Sequence, residues 1–178
     1  AGLHWETLRK GLDNKGISSD LLTLPPGEAT KSWPHLERVV EWLLEQRIER
    51  GDVVVAMGGG VTGDLVGFVA ATWLRGVSVV QVPTSLTAMV DSSIGGKTGV
   101  NLPQGKNLLG AFHQPKLVVQ DIVHLETLPP REMAAGWAEA VKHGLILDAD
   151  LLDTFERLAP QMVALEGDSP MEAIRRSV

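Results

Sequence analysis

The feature that most constrains the fold is an apolar, β-branched run followed at once by glycines. Residues 52–57 read DVVVAM and residues 58–64 read GGGVTGD. A strand that is apolar on both faces is typical of a parallel sheet covered by helices on both sides. The glycine run opens a helix, DLVGFVAATWL, and bare backbone N–H groups at such a helix start can receive a pyrophosphate. Because the spacing is not G-x-G-x-x-G, the run alone fits either nucleotide binding or a tight turn.

The rest of the chain repeats this alternation of strand and helix. An amphipathic helix ends within residues 1–16, and TLPPREM begins a helical region because a first turn tolerates proline. We expect strands at 20–24, 77–83 and 116–121, and a helix over about 33–49 that Gly51 ends. The sequence therefore predicts an α/β fold with a mostly parallel, Rossmann-like sheet wound by helices, followed by the start of an all-helical domain. The expected domains are residues 1–128 and 129–178.

Composition excludes several classes of function. The 178 residues carry a formal net charge of −6, which argues against a broad electrostatic grip on nucleic acid. The chain has no cysteine, so disulfides and thiol catalysis are excluded and a metal would need His, Asp or Glu ligands. No apolar run reaches membrane-spanning length, and the N-terminus lacks the apolar core of a signal peptide. We expect a cytoplasmic protein with neither a nucleic-acid nor a membrane partner.

Residues 91–98, DSSIGGKT, differ from a phosphate-binding P-loop by one letter, since Asp91 stands where the first glycine should be. A P-loop follows its strand directly, whereas TSLTAMVDSS intervenes after Pro83. Asp91 would also direct a negative charge at a triphosphate. Both objections argue against a P-loop.

The wider segment VDSSIGGKTGVNLPQGKN gathers one carboxylate, two lysines and two amides among glycines. The polar side chains are those of Asp91, Lys97, Asn101, Lys106 and Asn107. Ammonium groups neutralise phosphate, while carboxylate and amide groups hydrogen-bond to hydroxyls, so the set suits a small phosphorylated polyol. A solvated β-hairpin with polar tips explains the same residues equally well.

The later segment GWAEAVKHGL places Glu139, Lys142 and His143 on one helix face, at i, i+3 and i+4. Glu139 has apolar neighbours in the sequence and is either a salt-bridged surface residue or a functional ligand or base. Taken alone, the surface interpretation is favoured for Glu139 and for His143. The other histidines, at positions 4, 35, 113 and 124, show no metal-binding spacing.

Four blocks together resemble the 3-dehydroquinate synthase family: MGGGVTGDLVGFVAATWLRG, QVPTSLTAMVDSSIGGKTGVN, GKNLLGAFHQP and LPPREMAAGWAEAVKHG. The resemblance implies conversion of the seven-carbon sugar acid phosphate DAHP to 3-dehydroquinate and inorganic phosphate. It implies NAD and a divalent metal, zinc or cobalt, as cofactors, and a homodimer in the full-length form. Other sugar phosphate cyclases, which make a valiolone or an inosose, and metal-dependent polyol dehydrogenases share the fold and remain alternatives.

The resemblance also implies roles for individual residues. It assigns the cofactor contacts to Glu28, Lys31, Gly59, Gly60, Val61, Asp64, Thr84, Ser85, Lys106, Thr127 and Leu128. It assigns substrate contacts to Asp91, Lys97, Asn107 and Lys142, with Arg75 reaching the phosphate pocket of a neighbouring subunit. Glu139 matches the family's carboxylate metal ligand.

The metal site implied by the resemblance is incomplete in this chain. The two histidines that complete it in the family lie in a later helical domain, and a catalytic zinc takes three protein ligands. We therefore expect a fragment that lacks the opening strand and most of the metal domain, and that is inactive or nearly so by itself. For the isolated chain, a non-catalytic NAD-binding or dimerisation module is the alternative.

Overall fold

A computed structural model describes residues 2–178. The helices are α1 (Trp5–Asp13), α2 (Trp33–Glu45), α3 (Gly60–Thr72), α4 (Pro130–Leu147), α5 (Ala149–Ala164) and α6 (Ser169–Arg176). The strands are β1 (Val53–Gly58), β2 (Ser78–Pro83), β3 (Lys97–Leu102), β4 (Gly105–Phe112) and β5 (Leu117–Val118). Short 3-10 turns lie at Glu28–Thr30, Trp73–Arg75 and Ile122–Thr127, and a π-helical turn at Ala88–Ser92. The predicted α/β fold class is confirmed.

Three strands form a parallel sheet in the order β1-β2-β5. Val55 pairs with Val80, and Val80 pairs with Leu117. Parallel strands need a crossover connection, and α3 supplies it between β1 and β2. The helix packs Leu65 and Val69 against the same buried cluster as the sheet residues Val54, Ala56 and Val79. Its N-terminus consequently lies at the carboxyl end of β1, the edge at which α/β sheets bind ligands.

The other face of the sheet is covered only in part. Met57 and Val82, near the carboxyl ends of their strands, are buried. Nearer the amino end, Val53 and Val55 are 51% and 41% exposed, and Leu117 of β5 is 56% exposed. The prediction that β1 is buried on both faces is therefore wrong for this half of the strand, because nothing within residues 2–178 covers it.

Three elements differ from the sequence-based prediction: one strand is absent, and one helix and one strand are shorter. Within the described chain no strand forms at 20–24, because the segment has no neighbouring strand to pair with, although Leu22 and Leu24 still pack against the core. Helix α2 ends at Glu45, before Gly51, because Arg47 adopts a left-handed φ of 56°. The strand expected at 116–121 pairs only over Leu117–Val118.

Strands β3 and β4 form an antiparallel hairpin, so that part of the hairpin interpretation is confirmed. The hairpin is not fully solvated, because Val100 lies in the core beside α3. A Cβ at Gly67 of α3 would lie 2.5 Å from Thr98 Cγ2, so only glycine allows this close approach of helix and hairpin. The hairpin is thereby fixed against the helix that follows the glycine run.

Helices α4, α5 and α6 share a second apolar core with the segment that follows β2. Leu86 and Met89 of that segment are fully buried beside Trp137 of α4 and Phe155 of α5. Pro130 lies at the first position of α4, as its sequence indicates. Because residues before 128 contribute to this core, the domain boundary at 128 stays a prediction. No helix in residues 2–178 has the length and apolarity needed to cross a bilayer.

Candidate functional site

The glycine turn after β1 forms the uncapped start of a helix. Gly59 is the N-cap of α3 and makes no side-chain cap hydrogen bond. The first N–H groups of a helix, here those of Gly60 and Val61, have no intrahelical acceptor. Such groups, aligned with the positive end of the helix dipole, suit an anionic pyrophosphate.

Close packing holds this turn against the segment after β2. A Cβ at Gly60 would lie 2.7 Å from Ser92 Oγ, and one at Gly59 would lie 3.2 Å from Ser85 Oγ. The Thr84 N–H donates to the Gly58 carbonyl at 2.9 Å. Thr84 and Ser85, both assigned to the cofactor by sequence, therefore lie beside the glycine turn.

A cavity of ≈ 570 Å³ lies close to the turn, since Ser92, which packs against Gly60, is one of its lining residues. Its lining includes Asp64 from α3, Asp91 from the π-helical turn, Lys97 from β3 and Asn107 from β4. The structure thus brings together four side chains that the sequence assigned to cofactor or substrate. Asp91, Lys97 and Asn107 are exposed, so their polar groups are accessible to a ligand. The hairpin forms one wall of the cavity, and hairpin structure therefore does not exclude a ligand site.

The segment DSSIGGKT runs from the π-helical turn into β3. Lys97 begins a strand, whereas the lysine of a P-loop lies at the start of a helix. Leu86 and Thr87 are helical and lead into the π-helical turn, which agrees with the helical turn or two expected after Pro83. The exclusion of a P-loop is confirmed.

Asp64, which lines the cavity, forms an ion pair with Lys31, which does not. The Lys31 side chain is 6% exposed and that of Asp64 is 20% exposed. Burial raises the pKa of Asp64 above its ordinary value, and the neighbouring Lys31 ammonium opposes that shift only in part. The pair fixes the turn at Glu28–Thr30 to the N-terminal half of α3. Sequence reasoning named both residues but did not pair them.

Asn101 connects the hairpin to the same turn. Its Nδ2 donates to Glu28 Oε1 at 2.8 Å, and its Oδ1 accepts the N–H of Asn107 at 2.9 Å. Its own N–H donates to the Lys31 carbonyl at 2.8 Å. Lys106 Nζ lies 3.7 Å from Glu28 Oε1. Sequence reasoning grouped Asn101 with the polar side chains that suit a phosphorylated polyol, but it did not connect Asn101 with Glu28 or Asn107.

The predicted face of α4 is confirmed. Lys142 Nζ pairs with Glu139 Oε1, and His143 Nε2 lies 3.7 Å from the same oxygen. None of these three residues lines the cavity. Among residues 2–178, no three His, Asp or Glu side chains form a group that could hold a metal ion. Glu139 has the right chemistry for one ligand, but the described chain does not provide a complete site.

The remaining assigned residues, Arg75, Thr127 and Leu128, do not line the cavity. Arg75 is exposed beyond the C-terminus of α3, a helix of 13 residues and thus about 20 Å long. Thr127 ends a 3-10 turn, and its Oγ1 lies 3.1 Å from His4 Nε2. Leu128 follows it, directly before α4. Arg75 is therefore not part of the cavity wall in its own chain.

Two solved structures share this fold. ValA, the 2-epi-5-epi-valiolone synthase of Streptomyces hygroscopicus subsp. jinggangensis 5008, was solved with NAD⁺ and Zn²⁺ bound. It is 33% identical, with a TM-score of 0.93 over 99% of this chain and 50% of ValA. A 2-deoxy-scyllo-inosose synthase, complexed with carbaglucose-6-phosphate, NAD⁺ and Co²⁺, is 34% identical. Its TM-score is 0.74 over 79% of this chain and 38% of that one. The fold and the cavity thus define a domain of the sugar phosphate cyclase class.

Sequence comparison narrows the class to one family. The 3-dehydroquinate synthase N-terminal profile matches residues 21–135, and the chain belongs to the 3-dehydroquinate synthase family. The 3-dehydroquinate synthase of Jannaschia sp. (strain CCS1) is 57% identical over all 178 residues, which correspond to 48% of that protein. The chain therefore spans about half the length of the curated relatives it matches.

Proposed function

We propose that the full-length protein containing this chain is a 3-dehydroquinate synthase, which converts DAHP to 3-dehydroquinate and inorganic phosphate. The observation that carries the proposal is the single cavity lined by Asp64, Lys97 and Asn107, which reaches the glycine turn through Ser92, a lining residue packed against Gly60. A dinucleotide and a sugar phosphate must lie next to each other for hydride transfer, and this geometry offers adjacent sites. Membership of the family supports the same reaction.

NAD is the proposed dinucleotide. The uncapped start of α3 at Gly59, Gly60 and Val61 fits its pyrophosphate. We assign its other contacts to Glu28, Lys31, Asp64, Thr84, Ser85, Lys106, Thr127 and Leu128. When bound, NAD accepts and returns a hydride while the metal polarises the oxygen on the reacting carbon. The chain's own contribution is to hold the nicotinamide end close to the cavity.

The substrate is proposed to lie against the hairpin wall. The Lys97 ammonium neutralises the phosphate and stabilises the negative charge that develops as phosphate leaves. Asn107 donates to the same phosphate, and Asp91 accepts from a substrate hydroxyl. These three side chains orient the phosphate and the hydroxyls relative to the hydride acceptor.

Glu139 is proposed as one metal ligand. A catalytic zinc takes three protein ligands, so the others must come from residues outside this chain. Glu139 Oε1 now contacts Lys142 Nζ, and a metal at this oxygen would displace that ammonium. Lys142 would then be free to contact the substrate, as the family resemblance implies.

A cytoplasmic homodimer, with the domain boundary at residues 128 and 129, completes the proposal. Arg75 supports the dimer, because it is exposed and does not line the cavity of its own chain. An arginine placed there is available to a phosphate in another subunit. Its guanidinium would then add a second cation to the neighbour's phosphate pocket.

The test is phosphate release from DAHP by the full-length protein with NAD and Zn²⁺ or Co²⁺. We expect phosphate and 3-dehydroquinate in equal amounts, with no net formation of NADH, because the hydride returns to the substrate. Glucose 6-phosphate, the natural counterpart of the ligand in the inosose synthase, is the matched control and should release none. Release from glucose 6-phosphate but not from DAHP would contradict the proposal and indicate an inosose synthase.

A further inference from the structure

We propose that Asn101 is a positioning residue that fixes Asn107 in its place at the cavity and couples it to the Glu28–Lys31 turn. The proposal rests on the proposed function for the role of Asn107. It gives a specific role to a residue that the sequence only grouped with other polar side chains and that the family resemblance left unassigned. Three independent observations support it: the backbone of Asn107, the irregular register of the hairpin, and both ends of the Asn101 side chain.

The hairpin register is interrupted at this point. Val100 pairs with Leu109 and Leu102 pairs with Gly105. Between these pairs β3 contains only Asn101, whereas β4 contains residues 106–108, so β4 bulges outward. Residues in a bulge lose their partners in the ladder, and the N–H of Asn107 needs another acceptor.

Asn107 has a strained backbone within this bulge. Its φ is 57°, in the left-handed region that L-residues rarely adopt, although asparagine tolerates it better than most. The Asn101 Oδ1 accepts the Asn107 N–H at 2.9 Å and thereby holds this conformation. The conformation directs the residue to the cavity wall, where Lys97 also lies. Without the acceptor, the Asn107 N–H must turn to solvent and the bulge can relax.

The other end of the Asn101 side chain joins the bulge to the opposite side of the site. Nδ2 donates to Glu28 Oε1 at 2.8 Å, and the Asn101 N–H donates to the Lys31 carbonyl at 2.8 Å. Lys31 in turn forms the buried ion pair with Asp64. A continuous series of contacts thus connects Asp64 of α3 with Asn107. Movement of the Glu28–Lys31 turn on nucleotide binding is therefore transmitted to the proposed phosphate contact.

The first readout needs no substrate. Site-resolved hydrogen–deuterium exchange on the full-length protein should show the Asn107 amide exchanging at least about fivefold faster in Asn101→Ala, the factor for one neutral hydrogen bond. Gln104→Ala, at an exposed position of the same hairpin tip, is the matched control and should leave the exchange unchanged. Unchanged exchange in Asn101→Ala would overturn the proposal, whatever reaction the protein catalyses.

A second variant guards against simple misfolding of Asn101→Ala. Asn101→Asp keeps an oxygen for the Asn107 N–H but sets two carboxylates against each other at Glu28. Adding Glu28→Gln restores that contact with donor and acceptor reversed, so the double variant should show wild-type exchange at Asn107. Exchange as fast in this double variant as in Asn101→Ala would contradict a role that depends on the Oδ1 acceptor.

The kinetic readout tests whether Asn101 acts through Asn107. Asn101→Ala should raise the KM for DAHP about fivefold to tenfold and change kcat less, because a ground-state contact is loosened. In an Asn107→Ala background, the same substitution should have no further effect on KM. Additive effects would overturn the positioning role. A wild-type protein inactive on DAHP would refute the proposed function instead, and the exchange measurement would still decide this inference.

Discussion

At the scale of single residues, the Lys31–Asp64 ion pair shows what sequence reasoning finds and what it misses. The sequence assigned both residues to the cofactor, because each belongs to a motif that resembles a family pattern. It could not pair them, because 33 positions separate them and no local periodicity records such a contact. The bond from Asn101 to Glu28 spans 73 positions and was missed for the same reason.

Removing the Lys31 ammonium should strongly destabilise the protein. Lys31→Met leaves the Asp64 carboxylate buried without its partner, and we expect a loss of roughly 3 kcal/mol in the free energy of unfolding. Adding Asp64→Leu should recover much of this loss, since both charges are then gone. Urea denaturation of the full-length protein measures both the loss and its recovery. Lys10→Met, at an exposed position of α1, is the control. Equal losses in Lys31→Met and Lys10→Met would contradict a buried pair.

The loss in Lys31→Met should also depend on pH. Because burial raises the folded-state pKa of Asp64, its carboxyl takes up a proton more readily in the native than in the unfolded protein. The stability that this neutral form contributes is present below the unfolded pKa, about 3.9, and disappears as the pH rises through the raised folded pKa. The same denaturation series should therefore show a smaller penalty for Lys31→Met in acid than at neutral pH. A stability loss in Lys31→Met that does not change with pH would argue against an ionised Asp64 carboxylate.

At the scale of elements, local sequence patterns predicted contiguous elements well but did not predict where elements begin and end. The run from β1 through the glycine turn to α3 was predictable because its strand, glycines and helix are contiguous. The strand at 20–24 was wrong because an extended apolar segment becomes a strand only beside a partner. The hairpin could be predicted only as an alternative, since its polar residues fit a solvated tip as well as a cavity wall.

The close packing of α4 at Gly136 against the segment after β2 provides a prediction at the scale of elements. A Cβ at Gly136 would lie 2.4 Å from Leu86 Cβ, so Gly136→Ala should push α4 away from the segment that carries Asp91. We expect a loss of about 1–3 kcal/mol in the free energy of unfolding, although alanine favours helices. Gly11→Ala in α1 is the matched control, because a Cβ there meets nothing within 4 Å. Gly136→Ala as stable as Gly11→Ala would contradict this packing.

At the scale of the whole molecule, the cavity arises from parts that are distant in sequence. Helix α3, the π-helical turn and the hairpin each supply a wall, and the parallel sheet brings the ends of β1 and β2 together. The family blocks named the lining residues in advance, but only the fold shows that four of them face one space. The metal site could not be derived from this chain, because Glu139 is the only assigned ligand within it. The open half of the sheet face was also not predicted, because the apolar run DVVVAM does not record that Val53 and Val55 stay exposed.

The central claim is that the glycine turn and the hairpin wall hold two ligands side by side, with Lys97 serving the sugar phosphate and not the nucleotide. The most direct measurement compares NAD affinity, by calorimetry, with kcat/KM for DAHP in full-length Lys97→Met. We predict an NAD dissociation constant within about twofold of wild type and a kcat/KM lowered about 100-fold, as expected for a lost charged contact to phosphate. Lys116→Met, on the exposed surface away from the cavity, is the control and should change neither quantity. An unchanged kcat/KM in Lys97→Met, or a loss of NAD binding of the same size, would contradict the account.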